Sequence, residues 1–381
     1  MNKTTPNIQM VDLKGQYQKI KEEVNASLME VVESCAFING PKVQSFKATM
    51  QDYLGAKYVI PCGNGTDALQ IAMMALDLPE DAEVIVPAFT YVATAEVIAL
   101  LGYTPIMVDV DPDTFNITPE IIESAITPKT KAIVPVHLFG QSCDMAPIMD
   151  IAKKHKLWVI EDNAQAIGAD YTYPDGHTAK TGLLGHIGGT SFYPSKNLGA
   201  YGDGGALYTN DDELGPKLQI VANHGQTRRY YHDLVGVNSR LDSFQAAVLD
   251  IKLRHLDEYA AARRKAADYY DQALKGLKGQ LDIPVRADFS SHVFHQYTLK
   301  VKNGQRDELQ TYLNQHGIPT MIYYPVPLYE QKAFKGLTEV DFLPVTDQLC
   351  REVISLPMHT ELEESSLAYI TEHIMSFFKK A

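Results

Sequence analysis

The chain has 381 residues, enough for two or three structural units around a sizeable core, and its 45% hydrophobic and 21% charged residues are ordinary globular values. A net charge of −13 argues against general binding to nucleic acid or anionic membrane, though not against an anionic small ligand, because a pocket sets its own local field. The opening MNKTTPNIQMVDLKGQ has no apolar signal-peptide core and no run approaches membrane-spanning length, so a soluble cytoplasmic protein is expected.

In chain order, an amphipathic helix is expected near 14–34, able to pack on either of two domains. From about 58 to 208, β-branched runs alternate with helical stretches. Strands are expected at 57–62, 83–88, 104–110, 131–137, 157–162, 188–193 and 204–209, and helices at 66–76, 93–102, 118–126 and 145–155. This alternation predicts an α/β fold with a mostly parallel sheet and helices on its faces. Only a glycine-rich loop separates the last two strands, so at least one of them is expected to run antiparallel. A long helix is then expected over 242–275, a strand over 295–301 and a helix over 306–317. We place a domain boundary near residue 250, with a large domain at 1–250 and a smaller α+β domain at 251–381. Cys35, Cys62, Cys143 and Cys350 form no CxxC pair and read as reduced thiols rather than a disulfide framework or a metal site.

Three stretches carry chemistry. CGNGTDAL (62–69) follows a strand and opens a helix. Its glycines permit a sharp turn and close approach of a ligand. The free N–H groups and dipole at a helix start suit a phosphate, with the Thr66 hydroxyl as a further donor. The stretch is neither a P-loop nor a full GxGxxG, and an ordinary strand–helix turn would read the same way. VIEDNAQAIGA (159–169) places Glu161, Asp162 and Gln165 at the end of an apolar strand, where open α/β sheets hold their ligands. A carboxylate there is costly without a partner. A protonated ring nitrogen is one such partner, and a helix N-terminus is another. TSFYPSKNLGAYGDGG (190–205) sets Lys196 among serines, aromatics and glycines.

A phosphate loop, a strand-end carboxylate and a glycine-flanked lysine, in that order, fit pyridoxal 5′-phosphate. The phosphate would sit on the helix start, the acid on the pyridine nitrogen and the lysine in a Schiff base. Such a lysine needs a depressed pKa, which desolvation and nearby cations supply. In PAFTYVATAEVI (87–98), Tyr91 can stack on a flat ring or serve as a rim aromatic. In NHGQTRRYYHDLVGVNSRLD (223–242), Arg228, Arg229 and Arg240 can grip a phosphate or carboxylate, and the first two can equally be a solvated turn. MIYYPVPL (321–328) reads as a proline-stiffened loop that lines a cleft or merely connects elements.

With these residues in view, the chain resembles the DegT/DnrJ family of pyridoxal-phosphate-dependent nucleotide-sugar aminotransferases. The resemblance runs over nearly the whole chain through GNGTDAL, PAFTYVATAE, PVHLFGQSCDM, VIEDNAQAIGA, SFYPSKNLGAYGDGG and HGQ…NSRLDSFQAA. It implies an aspartate-aminotransferase-type (fold type I) architecture and a homodimer with shared active sites. It also implies the site residues: Lys196 as the Schiff-base lysine, Asp162 as the acid on the pyridine nitrogen, and Gln165 facing the ring. Gly65, Thr66 and Ser191 would bind the phosphate, Tyr91 would stack, and Asn238 would reach the phosphate from the partner subunit. Arg240, Tyr323 and Tyr324 would contact substrate. The likeness is greatest to the branch that aminates UDP-2-acetamido-2-deoxy-3-oxo-glucuronate with glutamate for bacterial surface polysaccharides. That branch often has His-Tyr-Pro where this chain has Tyr323-Tyr324-Pro325. An aminotransferase for a 4-keto-6-deoxy nucleotide sugar and a non-catalytic regulator of the same fold are the other readings. Some family members replace the lysine by histidine and become dehydratases, which Lys196 excludes here.

Overall fold

The computed structural model describes residues 7–380. Two helices, α1 (Leu13–Ser34) and α2 (Pro41–Leu54), precede a seven-stranded sheet. Its elements are β1 (Tyr58–Cys62), α3 (Gly65–Ala75), β2 (Glu83–Pro87), α4 (Ala93–Leu100), β3 (Thr104–Val108), α5 (Pro119–Ala125), β4 (Thr130–Ile133), α6 (Met145–His155) and β5 (Trp158–Asp162). A hairpin, β6 (Asp170–Thr172) and β7 (Thr178–Lys180), leads to β8 (Ile187–Ser191), β9 (Gly205–Thr209) and α7 (Leu214–Ala222). A second hairpin, β10 (Gln226–Arg228) and β11 (Tyr231–His232), precedes α8 (Ser243–Leu253) and α9 (Leu256–Leu274). The last part holds β12 (Leu281–Asp282), β13 (Tyr297–Val301), α10 (Arg306–Gln315), α11 (Pro344–Glu352), β14 (Val353–Leu356) and α12 (Glu364–Lys380).

The large sheet has the order β1-β9-β8-β5-β4-β2-β3. Every neighbour pair is parallel except those made by β9, which runs against both β1 and β8. The antiparallel member expected around the glycine loop is therefore β9. Strand residues alternate between the two faces. Val84, Val86, Ala132 and Ile160 join one core cluster with α3, α4 and α7. Ile85, Ile133 and Val159 join another with α5 and α6. Burial on both faces explains why these strands read as continuous apolar runs. With parallel strands in register, the ends of β1, β5 and β8 reach one edge, and Ser191 and Cys62 both lie opposite Gly205.

The helix starts are set locally. Asp12 caps α1 by accepting from Gly15 N at 2.8 Å, Thr118 caps α5 ahead of Pro119, and Asn64 caps α3 by accepting from Asp67 N at 2.8 Å. The amphipathic α1 packs through Ile20 and Val24 on Val248 and Ile251 of α8.

The long helix expected over 242–275 is two helices, because Arg254 and His255 interrupt it, His255 having φ −102° and ψ 2°. The physical reason is that the two halves serve different cores. Ala246, Leu249 and Leu253 of α8 pack with Phe46 and Met50 of α2. Ala266, Tyr270 and Leu274 of α9 pack with Tyr297 and Leu299 of β13 and Ile370 of α12. One straight apolar stripe cannot face both. The strands β12, β13 and β14 form a small antiparallel sheet in that second core. The segment after it returns to the large sheet, where Leu328, Tyr329 and Phe334 enter the first cluster.

Candidate active site

A cleft of about 840 Å³ opens where the ends of β1, β2, β5 and β8 meet. Gly65, Thr66, Tyr91, Asp162, Gln165, Ser191, Lys196, Tyr323 and Tyr324 all line it, although they span 260 residues of sequence. Asn238 and Arg240 are not among its lining residues. Arg228 and Arg229 lie on the exposed β10–β11 hairpin, Arg228 stacked 3.6 Å over Tyr231 and Arg229 5.2 Å over Tyr230.

Asp162 is the last residue of β5 and is 6% exposed. Its Oδ2 accepts from Thr94 Oγ1 at 2.8 Å and its Oδ1 from Ala164 N at 3.1 Å. Gln165 is fixed from both ends: its Oε1 accepts from Phe139 N at 2.8 Å and its Nε2 donates to Tyr324 OH at 3.1 Å. The Tyr324 ring meets Phe89 edge-on at 5.9 Å and Tyr91 at 6.5 Å. Burial pushes the Tyr324 phenol up, so it stays protonated at neutral pH. Tyr91 is 58% exposed, an apolar face presented to the cleft.

Glu161 belongs to a different task. Its neighbour Asp162 faces the cleft, while Glu161 is fully buried behind it. Its carboxylate accepts from Gly182 N and Leu184 N at 2.7 Å each, from Gly185 N at 2.5 Å, and meets His137 Nε2 at 2.7 Å. His137 Nδ1 accepts from Cys143 N, so the ring proton is on Nε2 and points at Glu161. The carboxylate thus ties the β5 end to the 182–185 turn.

Lys196 lies in the loop between β8 and β9, with its N–H donating to Tyr193 O at 2.8 Å. Its amine has no hydrogen bond or ion pair among the described residues. Burial pushes it down to about 8, opposed by the charge of Asp162. At the start of α3, the N–H groups of Gly65 and Thr66 have no carbonyl within the helix to bond. A Cβ on Gly65 would lie 2.6 Å from the Cβ of Ser191, so only glycine lets the helix start meet the β8 end this closely.

Thr90, His295 and Gln296, which line the cleft, and Thr94, which does not, escaped the sequence reading. Thr94 holds Asp162, yet its hydroxyl in a helix start carries no distinguishing pattern. Thr90 lines the cleft with a buried Oγ1 that has no partner among the described residues. His295 and Gln296 reach the cleft from the entry to β13, about 100 residues after Lys196 in sequence. HVFHQYTL reads only as the start of a strand, so nothing local could have found them.

An α/β sheet whose cleft holds an unpaired lysine, a strand-end carboxylate and a helix start with free N–H groups at Gly65 and Thr66 is the arrangement expected of the fold type I pyridoxal-phosphate class. Residues 18–375 match the DegT/DnrJ/EryC1/StrS aminotransferase family, and the chain belongs to that family of pyridoxal-phosphate-dependent enzymes. It is 47% identical over 98% of its length to a pleiotropic regulatory protein of Geobacillus stearothermophilus, covering 99% of that protein. It is 46% identical over 95% of its length to UDP-2-acetamido-2-deoxy-3-oxo-D-glucuronate aminotransferase of Pseudomonas aeruginosa, covering 98% of it. Among solved structures, a DegT/DnrJ/EryC1/StrS aminotransferase from Brucella abortus superposes with a TM-score of 0.92 at 40% identity, covering 97% of this chain and 99% of that one. Among the described residues, no helix is long and apolar enough to cross a membrane.

Proposed function

We propose that this sugar aminotransferase transfers an amino group from glutamate to UDP-2-acetamido-2-deoxy-3-oxo-glucuronate, in the cytoplasm, for a bacterial surface polysaccharide. The observation that carries the catalytic reading is the Lys196 amine, unpaired among the described residues in a cleft that also holds Asp162. The substrate reading is supported by the 46% identity to an aminotransferase named for that sugar.

The residues fit the cofactor. The N–H groups of Gly65 and Thr66 and the Ser191 hydroxyl would hold its phosphate, Tyr91 and Gln165 would bracket its ring, and Asp162 would take its protonated nitrogen. Once bound, the cofactor withdraws electrons from the substrate carbon that carries nitrogen. Lys196 would supply the covalent anchor for the cofactor and, as an amine, the base that moves the substrate's proton. Its lowered pKa leaves a usable fraction unprotonated near neutral pH. Thr94 holds Asp162 in place, where its carboxylate would favour a protonated ring nitrogen. Gln165 is locked between Phe139 N and Tyr324, so it cannot rotate away when substrate enters.

The same cleft gives a reason for a shared, dimeric site. Its lining includes three acidic side chains, Asp67, Asp162 and Asp203, against one lysine, Lys196. Such a field repels a phosphate and a nucleoside diphosphate. Arg240 is half-buried and makes no side-chain hydrogen bond or ion pair among the described residues, so its guanidinium is available to the partner's cleft, with Asn238 beside it.

The 47% identity to a pleiotropic regulatory protein keeps a regulator in view. Lys196 and Asp162 both face the cleft here, and a non-catalytic protein has no need of a desolvated lysine amine. The test compares amination of the 3-keto-uronate with that of a 4-keto-6-deoxy sugar, alongside Lys196→Ala. We expect turnover on the uronate and none in the variant. Preference for the 4-keto sugar would overturn the substrate, and full turnover by Lys196→Ala would overturn the mechanism.

A further inference from the structure

Two fully buried cations on consecutive helices have no acidic partner among the described residues. Lys252 of α8 is 1% exposed, and Arg263 of α9 is 3% exposed. Burial alone pushes Lys252 down to about 8 and Arg263 to about 10. A buried charge without a counterion is costly, and an apolar side chain of similar volume would cost less. Lys252 Nζ and Arg263 Nη1 donate to backbone carbonyls instead, while the buried Arg263 Nε has no partner among the described residues. Lys252 Nζ donates to Gly199 O at 2.8 Å and lies 4.6 Å over the Tyr201 ring. Arg263 Nη1 donates to Phe294 O at 3.0 Å, His295 O at 3.3 Å and Met358 O at 3.0 Å.

The two pinned segments are those that bring Lys196 and His295 to the cleft. The lysine loop doubles back tightly: a Cβ on Gly199 would lie 2.2 Å from Pro194 O, and Ala200 N donates to Phe192 O at 2.8 Å. The Gly199 carbonyl, three residues after Lys196, has the Lys252 ammonium as its donor. The second segment is held on its other side as well, since Val293 N donates to Gly140 O at 2.9 Å. Asn197, next to Lys196, donates to Val293 O at 3.0 Å and joins the two segments.

We propose that Lys252 and Arg263 are positioning residues for transamination, buried cations that pin through backbone carbonyls the two segments presenting Lys196 and His295 to the cleft. The inference rests on Lys196 being the catalytic amine. It assigns a role to two charges that neither touch the cleft nor form an ion pair.

Lys252→Met keeps length and volume and removes the donor. In the full chain loaded with cofactor, the release of 2-oxoglutarate from glutamate should fall by at least about tenfold, as expected for a misplaced catalytic group. The melting temperature should not fall with it. In the full chain without cofactor, acylation of Lys196 followed by mass spectrometry should give a midpoint near 8 in the wild type. That midpoint should move up in the variant, because a loosened loop admits water to the amine. Arg263→Lys, able to reach fewer carbonyls, should behave in the same way. Unchanged turnover and labelling in Lys252→Met would overturn the proposal. So would losses of turnover that merely track falling melting temperatures in both variants. Labelling is read without turnover, so a wild type inert toward glutamate would sink the transaminase reading and leave the pinning still tested.

Discussion

Glu161 and Asp162 are adjacent carboxylates on β5, and strand alternation sends them to opposite tasks. Asp162 ends in a cleft with two donors and spare lone pairs. Glu161 ends in the interior with three backbone N–H groups and the His137 ring around it. Every one of those groups donates, so the site demands an acceptor at both oxygens. Glu161→Gln should therefore be harmful despite its small size. Turned one way, the amide NH₂ faces Leu184 N–H and Gly185 N–H. Turned the other, it faces Gly182 N–H and a histidine whose remaining nitrogen is occupied by Cys143 N–H. We expect a loss of about 1–3 kcal/mol, seen as a lower melting temperature, with the glutamate half-reaction retained in the fraction that folds. Lys196 and Asp162 were readable as a pair from glycine-flanked and strand-end motifs. The separate duty of Glu161 was not, because its donors come from a turn some twenty residues away that binds it only in the fold.

At the scale of elements, the meeting of the α3 start with the β8 end decides whether the proposed phosphate seat can form. Gly65 and Ser191 lie more than 120 positions apart, and β9 brings their elements together by pairing with both β1 and β8. Gly65→Ala adds a methyl group 2.6 Å from the Ser191 Cβ, a distance real Cβ contacts do not tolerate. One element must shift, at a cost of about 1–3 kcal/mol. We expect cofactor affinity, measured by titrating the cofactor-free chain and following its absorbance, to fall on the order of tenfold or more. A variant that binds cofactor as the parent does would show that the seat is not at this junction. The helices and strands themselves were legible from period and capping: α6 runs over Met145–His155, the span its sequence pattern predicts. The division between α8 and α9 was not legible. A stretch such as KLRHLDEY keeps good helix formers through the break, and only the demand of two separate cores interrupts it.

For the whole molecule, charge is the governing quantity. The chain carries −13, and its cleft repeats that excess with three acids against one lysine. The proposed nucleotide sugar, with two phosphates, calls for more cationic groups than the one lysine that lines this cleft. Mixed dimers of Lys196→Ala and Arg240→Ala chains test the proposed sharing. Each homodimer should be inactive or nearly so. In the mixed dimer one composite site should lose both groups while the other regains both, restoring up to about half the activity per dimer, as a two-site count requires. No recovery would place Arg240 in the service of its own chain. The order along the chain of the glycine loop, acid and lysine that meet in the cleft was readable in the sequence.

What the amino-acid sequence determined by itself is therefore local and periodic. It includes the two-faced apolar strands, the capped helices, the glycine-flanked Lys196 and the family to which these motifs belong. Such signals act over a few residues, through dihedral preference, burial period and helix-end hydrogen bonding. What only the tertiary structure decided is which distant groups surround them. Thr94 restrains Asp162, Tyr324 restrains Gln165, His295 reaches the cleft beside Lys196, and Lys252 and Arg263 hold the loops in between. These contacts join residues tens to hundreds of positions apart. Each is made by donors and acceptors that have no preferred partner until packing excludes water and leaves them only one another.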